Sequence, residues 1–208
     1  MFTVITLSRQ YGSGGGEIAR RLAGRLNWRL VDQSVVEEVA QRARVSPSVA
    51  AQYDERVDPW FQRMVKALWQ GGYEGAASRI ESLPVDSDAV AALSAQIICE
   101  AAEIGEAIIV GRGAQCVLRA NPQAFHVSIF APREVRIAAL RERLPQGTNA
   151  EAKMDETDRH RAGYIRRYFN RDWTDRRLYH LSLCATIGIE KAVETILCAS
   201  GLASQPRP

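Results

Sequence analysis

The chain has 208 residues, 46% of them hydrophobic and 25% charged, with a formal net charge of +3. That length suits one sizeable α/β domain with a lid or small subdomain, and the composition is that of an ordinary soluble globular protein. So small a net charge argues against a dedicated nucleic-acid binder, and no window approaches the roughly 18 apolar residues of a membrane span.

The first element in the chain is Thr3 to Leu7, a short β-branched apolar run that suits a buried parallel strand. Gly12, Gly14, Gly15 and Gly16 follow at once. Ile18, Ala19, Leu22, Ala23 and Leu26 then recur at helical spacing, with Arg20, Arg21 and Arg25 on the opposite face. Asn27 is the expected end of that helix, and Trp28 to Val31 reads as a second strand leading to Asp32. From about 34 to 104 the pattern is largely helical, clearest from Val35 to Ala43 and from Asp88 to Ile104. Ala107 to Val110 is a buried strand that ends in the turn Gly111-Arg112-Gly113. Phe125 to Phe130 is a further strand, followed by an arginine-rich helix from Pro132. Leu181 to Ala185 is the last strand, with a closing helix from Ile189 to Leu197, and residues 1–200 are expected to form one domain with a disordered tail over 201–208.

Strands separated by helices imply right-handed crossovers and a mostly parallel sheet covered on both faces. Ligands of such sheets bind beyond the carboxyl ends of the strands. The turns after Leu7, Val31, Val110 and Phe130 are therefore expected to meet at one crevice, gathering Gly12 to Gly16, Asp32, Arg112 and Arg133 or Arg136. The opening MFTVITLSRQ has neither a basic n-region nor a long apolar h-region, so a cytoplasmic location is expected. Cys99, Cys116, Cys184 and Cys198 show no metal-ligand spacing, and their apolar surroundings predict buried, reduced thiols. His126, inside a strand, reads as structural.

A glycine-rich turn between a buried strand and a helix exposes backbone N–H groups beside the positive end of the helix dipole. Glycine is required where the backbone turns left-handed and a phosphate must come close. The segment Ser8 to Glu17 fits that description, with Gly12, Ser13, Gly14, Gly15, Gly16 and Glu17 as its candidate cofactor-binding residues. Two roles are open to Glu17: a direct Mg²⁺ ligand, or a carboxylate placed favourably in the first helical turn.

At this point the sequence resembles a known family. ITLSRQYGSGGGEIARRLAGRLNWRLVD is similar to the opening of the cytidylate kinase-like family, a branch of the P-loop nucleoside monophosphate kinases. The resemblance continues through IIVGRGAQCVLR, FHVSIFAPREVRIAALRER and the segment from DETDRHRAGYIRRYF to VETIL. It implies an α/β, P-loop NTPase-type three-layer fold with a central, mostly parallel sheet and a helical lid over about 150–175. It further implies ATP and Mg²⁺ as cofactors and a small-molecule nucleotide as partner, rather than a nucleic acid or a membrane. By resemblance, Arg112 matches an arginine that holds the acceptor nucleotide, Arg136 stands near the acceptor phosphate, and Asp158 with Arg161 matches the DxxR pair of the lid. Asp32 stands where a carboxylate binds Mg²⁺ through water or the acceptor ribose, and is also a natural N-cap for a following helix.

The loop departs from the pattern. Gly15 occupies the position of the catalytic lysine and Glu17 that of the Mg²⁺-binding threonine. Gly16 stands where this branch often carries an arginine. The compensating cation must then come from elsewhere, with Arg9 before the loop and Arg20 or Arg21 within the helix as candidates. Two functions follow: ATP-dependent phosphoryl transfer to a nucleoside monophosphate or related small acceptor, or a nucleotide-binding regulatory module that has lost turnover. Tyr164, Tyr168, Trp173 and Tyr179 interleave with arginines, and at this spacing they are expected to pack the lid against the core.

Overall fold

The computed structural model describes residues 1–32 and 88–203. The helix expected over Val35–Ala43 and the segment around Trp60, Trp69 and Pro84 lie outside the described residues. Five parallel strands make one sheet: β1 (Val4–Arg9), β2 (Arg29–Val31), β3 (Ala107–Val110), β4 (Ala124–Phe130) and β5 (Leu181–Cys184), in the order β2-β3-β1-β4-β5. The first strand is central, as its apolar sequence requires. It is longer than hydrophobicity alone indicates, because Ser8 and Arg9 pair with Ser128 and Ile129 of β4. Backbone pairing thus carries the strand two residues into polar sequence.

Helices cover both faces. On one side lie α1 (Gly15–Leu26) and α6 (Ile189–Ala199), on the other α2 (Asp88–Ile104) and the short α3 (Ala114–Val117). Alternation along the strands divides the core: Ile5, Leu7, Ile108 and Val110 join Ile18, Leu22, Val193 and Ile196 on the first face. Val4, Ala107 and Ile109 join Ile97, Ile98 and Ala101 on the second. Asn27 ends α1 in the left-handed conformation, donating its amide to the Ala23 carbonyl. Two further helices, α4 (Arg133–Arg143) and α5 (Ala150–Phe169), pack on each other through Leu140, Ala150 and Met154, with Tyr11 of the glycine loop against them. The Asn149 side chain caps α5 by accepting from the Ala152 amide at 3.0 Å.

Two expectations are revised. Cys99 and Cys198 are exposed, and Cys116 and Cys184 are only partly covered; all four are free thiols. In α2 the core takes Ile97, Ile98, Ala101 and Ala102, which turns Cys99 outward; in α6 it takes Val193, Ile196 and Leu197, which turns Cys198 outward. Beyond α6, Leu202 is buried in the core and Ala203 donates to the Leu197 carbonyl, so order continues past residue 200. Among the described residues no helix is long and apolar enough to cross a membrane.

His126 is a core residue. Its Nδ1 lies 2.8 Å from Thr6 Oγ1, its backbone amide donates to His180 Nδ1 at 2.9 Å, and the two imidazoles stack. Burial, then the neighbouring His180, lowers its pKa from 6.5 to about 4. The folded value lies below the unfolded one, so this contribution to stability is complete above pH 6.5 and is lost as pH falls through 4. Urea unfolding midpoints should therefore drop as pH is lowered from 6.5 to 4, and His126→Gln should flatten that part of the profile.

Candidate active site

The glycine loop runs from Gln10 to Gly14 and feeds directly into α1. Gly12 and Gly14 have φ of 82° and 80°, values that favour glycine. At Gly12 space imposes the same choice, since a Cβ there would lie 2.9 Å from the Arg136 carbonyl; at Gly14 the nearest atom is the movable Ile189 Cδ1 at 3.0 Å, and conformation decides. Ser13 is buried and folds back, its hydroxyl donating to the Gln10 carbonyl at 2.8 Å. The Glu17 amide donates to the Gly14 carbonyl at 3.0 Å, so the donors that the start of α1 can present to an anion are those of Gly14, Gly15 and Gly16. Gly16 has open space around it: a Cβ there would meet nothing within 4 Å.

Glu17 is a first-turn carboxylate bound to its own helix. It contacts Arg20 at 2.5 Å and Arg21 at 2.8 Å, and Arg21 also pairs with Glu190. Hydrogen bonding from Arg21 holds its pKa below the usual carboxylate range. Arg20 and Arg21 are therefore committed to the helix surface and away from the loop.

Beside the loop, at the carboxyl ends of β1 and β3, lies a cleft of about 230 Å³. Arg9, Arg112 and Arg161 all line it, with Ser8, His160 and Tyr164 among their neighbours. Arg112 sits in a left-handed conformation, φ 51°, between two left-handed glycines. A bulky residue rarely holds that geometry, and its cost is a recognised mark of functional turns. Arg161 reaches from α5 to donate to the Arg9 carbonyl at 2.8 Å, and its guanidinium lies 5.6 Å from the Tyr11 ring centre. Burial, then repulsion from Arg161, lowers the Arg9 pKa from 12.5 to about 10; Asp32 opposes the shift and Arg112 adds to it. Asp32, Arg112 and Arg161 thus act electrostatically on one partly buried guanidinium.

Arg136 and Asp158 are brought together by a different arrangement. Arg136 is buried and donates to Asp158 Oδ2 at 2.5 Å and to the Tyr11 carbonyl at 3.3 Å. Asp158 Oδ1 accepts the Tyr11 amide at 2.8 Å. The pair fastens α4 and α5 to the glycine loop. Arg133 does not reach the crevice: it pairs with Asp155 and Glu151 on the outer face of α5. Gly12 to Gly16 do not line the cleft either, although Gly111 and Gly113 do; loop and cleft are adjacent, with Arg9 between them.

Several lining residues escaped the sequence reading: Thr157, His160 and Gln115. Their signal was present. Thr157, His160, Arg161, Tyr164 and Ile165 share one face of α5 at i, i+3, i+4, i+7 and i+8, so Arg161 marks the others. Trp173 and Tyr179 tie the segment after α5 to the strand, Trp173 Nε1 donating to Ser8 Oγ at 2.6 Å and the Tyr179 hydroxyl to the Trp173 carbonyl at 2.9 Å. Tyr164 and Tyr168 meet in a tilted pair with ring centres 4.8 Å apart and planes at 52°. Trp173 and Tyr179 thus pack this region against the strand, whereas the ring contacts of Tyr164 and Tyr168 are within α5.

The fold recurs in solved structures. An uncharacterized protein from Eubacterium ventriosum superposes with a TM-score of 0.67 at 24% identity, covering 99% of this chain and 100% of the other. Shikimate kinase from Bacteroides thetaiotaomicron gives 0.51 at 16% identity, over 94% and 96% of the two chains. A gluconokinase from Sinorhizobium meliloti gives 0.52 at 10% identity, over 95% and 91%. At such identities these establish a P-loop kinase-type fold and no more. None of the curated proteins matches the sequence. The cytidylate kinase-like family pattern, however, matches residues 4–187, which takes in the loop, the cleft and α5 together, and the chain belongs to that family.

Proposed function

We propose that this protein transfers a phosphoryl group from ATP to a nucleoside monophosphate, cytidylate-like, or to a related small anionic acceptor. The carrying observation is the convergence of Arg9, Arg112 and Arg161 on one cleft next to a glycine loop at the ends of β1 and β3. Phosphoryl transfer asks a protein for little covalent chemistry; positioning and charge neutralisation do most of the work. The loop amides at Gly14, Gly15 and Gly16 are suited to hold the donor phosphates. Arg112 and Arg161 are suited to orient the acceptor, since a guanidinium fork matches phosphate geometry. Asp158 and Arg136 set the position of Arg161 by fixing α5 to the loop.

ATP fits the donors present, because left-handed glycines at Gly12 and Gly14 lead the chain into the start of α1, where backbone amides can meet phosphate oxygens. Mg²⁺ fits less well. Glu17, at the usual metal-binding position, is committed to Arg20 and Arg21, and among the described residues no cluster of three His, Cys, Asp or Glu could hold an ion. No step is assigned to the metal.

A second reading, a nucleotide-binding module without turnover, draws support from Gly15 at the lysine position. The two separate in one assay: purified protein with Mg·ATP and a panel of monophosphates, monitored for ADP. ADP formation with an anionic acceptor supports the enzyme, and ATP binding without ADP for any acceptor supports the module. In the enzyme, Arg112→Ala should raise the acceptor KM by about ten- to a hundredfold, the loss of a charged hydrogen bond. Gly14→Val, which forces a β-branched residue into a left-handed position, should abolish binding of a fluorescent ATP analogue. Hydrogen exchange should show α5 less protected than β1, β3 and β4, and slowed by nucleotide; protection equal to the strands in both states would remove it as a lid.

A further inference from the structure

The usual phosphate loop reads GxxxxGK, with glycine first, glycine sixth and lysine seventh. Set on residues 9–15, this chain keeps the second glycine as Gly14 but has Arg9 in place of the first and Gly15 in place of the lysine. Those two departures touch. A Cβ built on Gly15 would lie 2.6 Å from Arg9 Cβ and 3.0 Å from Arg9 Cγ. No side chain of any kind, lysine included, can stand at position 15 while Arg9 holds its path, and atoms so near the backbone cannot step aside. Backbone conformation does not explain this glycine, since Gly15 is a helical residue without positive φ. Space explains it.

Beyond Gly15 the arginine continues across the sheet. Its guanidinium Nη1 fills the volume that a side chain on Gly111 would need, at the mouth of β3, and lines the cleft with Arg112 and Arg161. The head therefore lies between the loop and the cleft. The partly buried head is repelled by Arg161 and Arg112 and attracted by Asp32, and an arriving anion would offset the repulsion further.

We propose that Arg9 and Gly15 are an exchanged pair: the cation usually carried at the start of the helix is delivered here from the last residue of the strand, over a helix start that must be glycine to let it pass. Arg9 is then the phosphate-binding cation of the loop. This rests on the reading of the site as a nucleotide phosphotransferase, and goes further by saying which residue replaces the lysine and why the replacement needs two changes.

The exchange predicts that reversing both changes recovers what reversing either one destroys. Four proteins decide it: wild type, Arg9→Gly, Gly15→Lys, and Arg9→Gly/Gly15→Lys, each titrated with a fluorescent ATP analogue and melted thermally. Arg9→Gly should bind about tenfold or more weakly, the loss of a charged contact. Gly15→Lys should melt at lower temperature and also bind poorly, and the double variant should regain affinity beyond either single change. A double variant no tighter than Arg9→Gly, or a Gly15→Lys protein unimpaired in both measurements, would overturn the exchange. Should Gly15→Lys fail to fold, Gly15→Ala decides the steric half. Alanine ordinarily stabilises a helix relative to glycine, so a lowered melting temperature, absent in the Arg9→Gly background, reads the clash directly; a raised one overturns it. Wild-type protein that does not bind the analogue overturns the nucleotide reading and the exchange with it. Binding by wild type and Arg9→Gly alike overturns the exchange alone.

Discussion

Parallel pairing of β1 with both β3 and β4 is the constraint on which the site depends. Leu7 stands opposite Val110, so the chain leaves β1 and β3 at the same end and nearly the same height. The Gly111 amide donates to the Leu7 carbonyl at 2.9 Å, stitching the two exits together. Pairing with β4 holds Ser8 and Arg9 extended for two residues more. Arg9 is therefore a strand residue, with a side-chain direction fixed by the pleat. A loop arginine could point anywhere; this one is aimed across its neighbour.

Given that aim, the electrostatics follow. Three guanidiniums around one cleft repel one another, and the fold tolerates them by anchoring each differently. Arg161 spends a hydrogen bond on the Arg9 carbonyl and stacks on Tyr11. Arg112 is held by the geometry of its turn, where Phe169 packs so closely under Gly113 that no side chain fits there. Arg9 lies within the influence of Asp32. Such stored repulsion is a cost in stability that an anionic ligand offsets on binding, which is a common relation between stability and function at such sites.

Much of this was legible in the sequence, for physical reasons. Apolar β-branched runs next to glycine turns located the strands, and the 3.6-residue period bounded α2 at Asp88 and Ile104 as observed. What depends on partner choice was not legible. Whether Arg136 faces a phosphate or Asp158 is decided by the packing of α4 on α5, and nothing local distinguishes it from Arg133, which turned to Asp155 instead. The cysteines were misjudged because an apolar window says a helix is buried without saying which face. The contact between Arg9 and Gly15 was equally out of reach, since residues six apart face one another only through the reversal of the loop.

Asp158 carries a mechanical consequence. One of its oxygens holds a backbone amide of the glycine loop and the other an arginine of α4, near the middle of α5. Any rocking of α5 that keeps both bonds must turn about this point as a lever turns about its fulcrum. Phe169, at the far end of the helix, lies about 16 Å along the axis from that pivot at 1.5 Å per residue. A small angular movement there becomes a displacement of several ångströms under the Gly113 turn, whereas Arg161, less than one turn from the pivot, hardly moves. The same helix can thus hold one arginine still over the strand end while its far end shifts against the Gly113 turn.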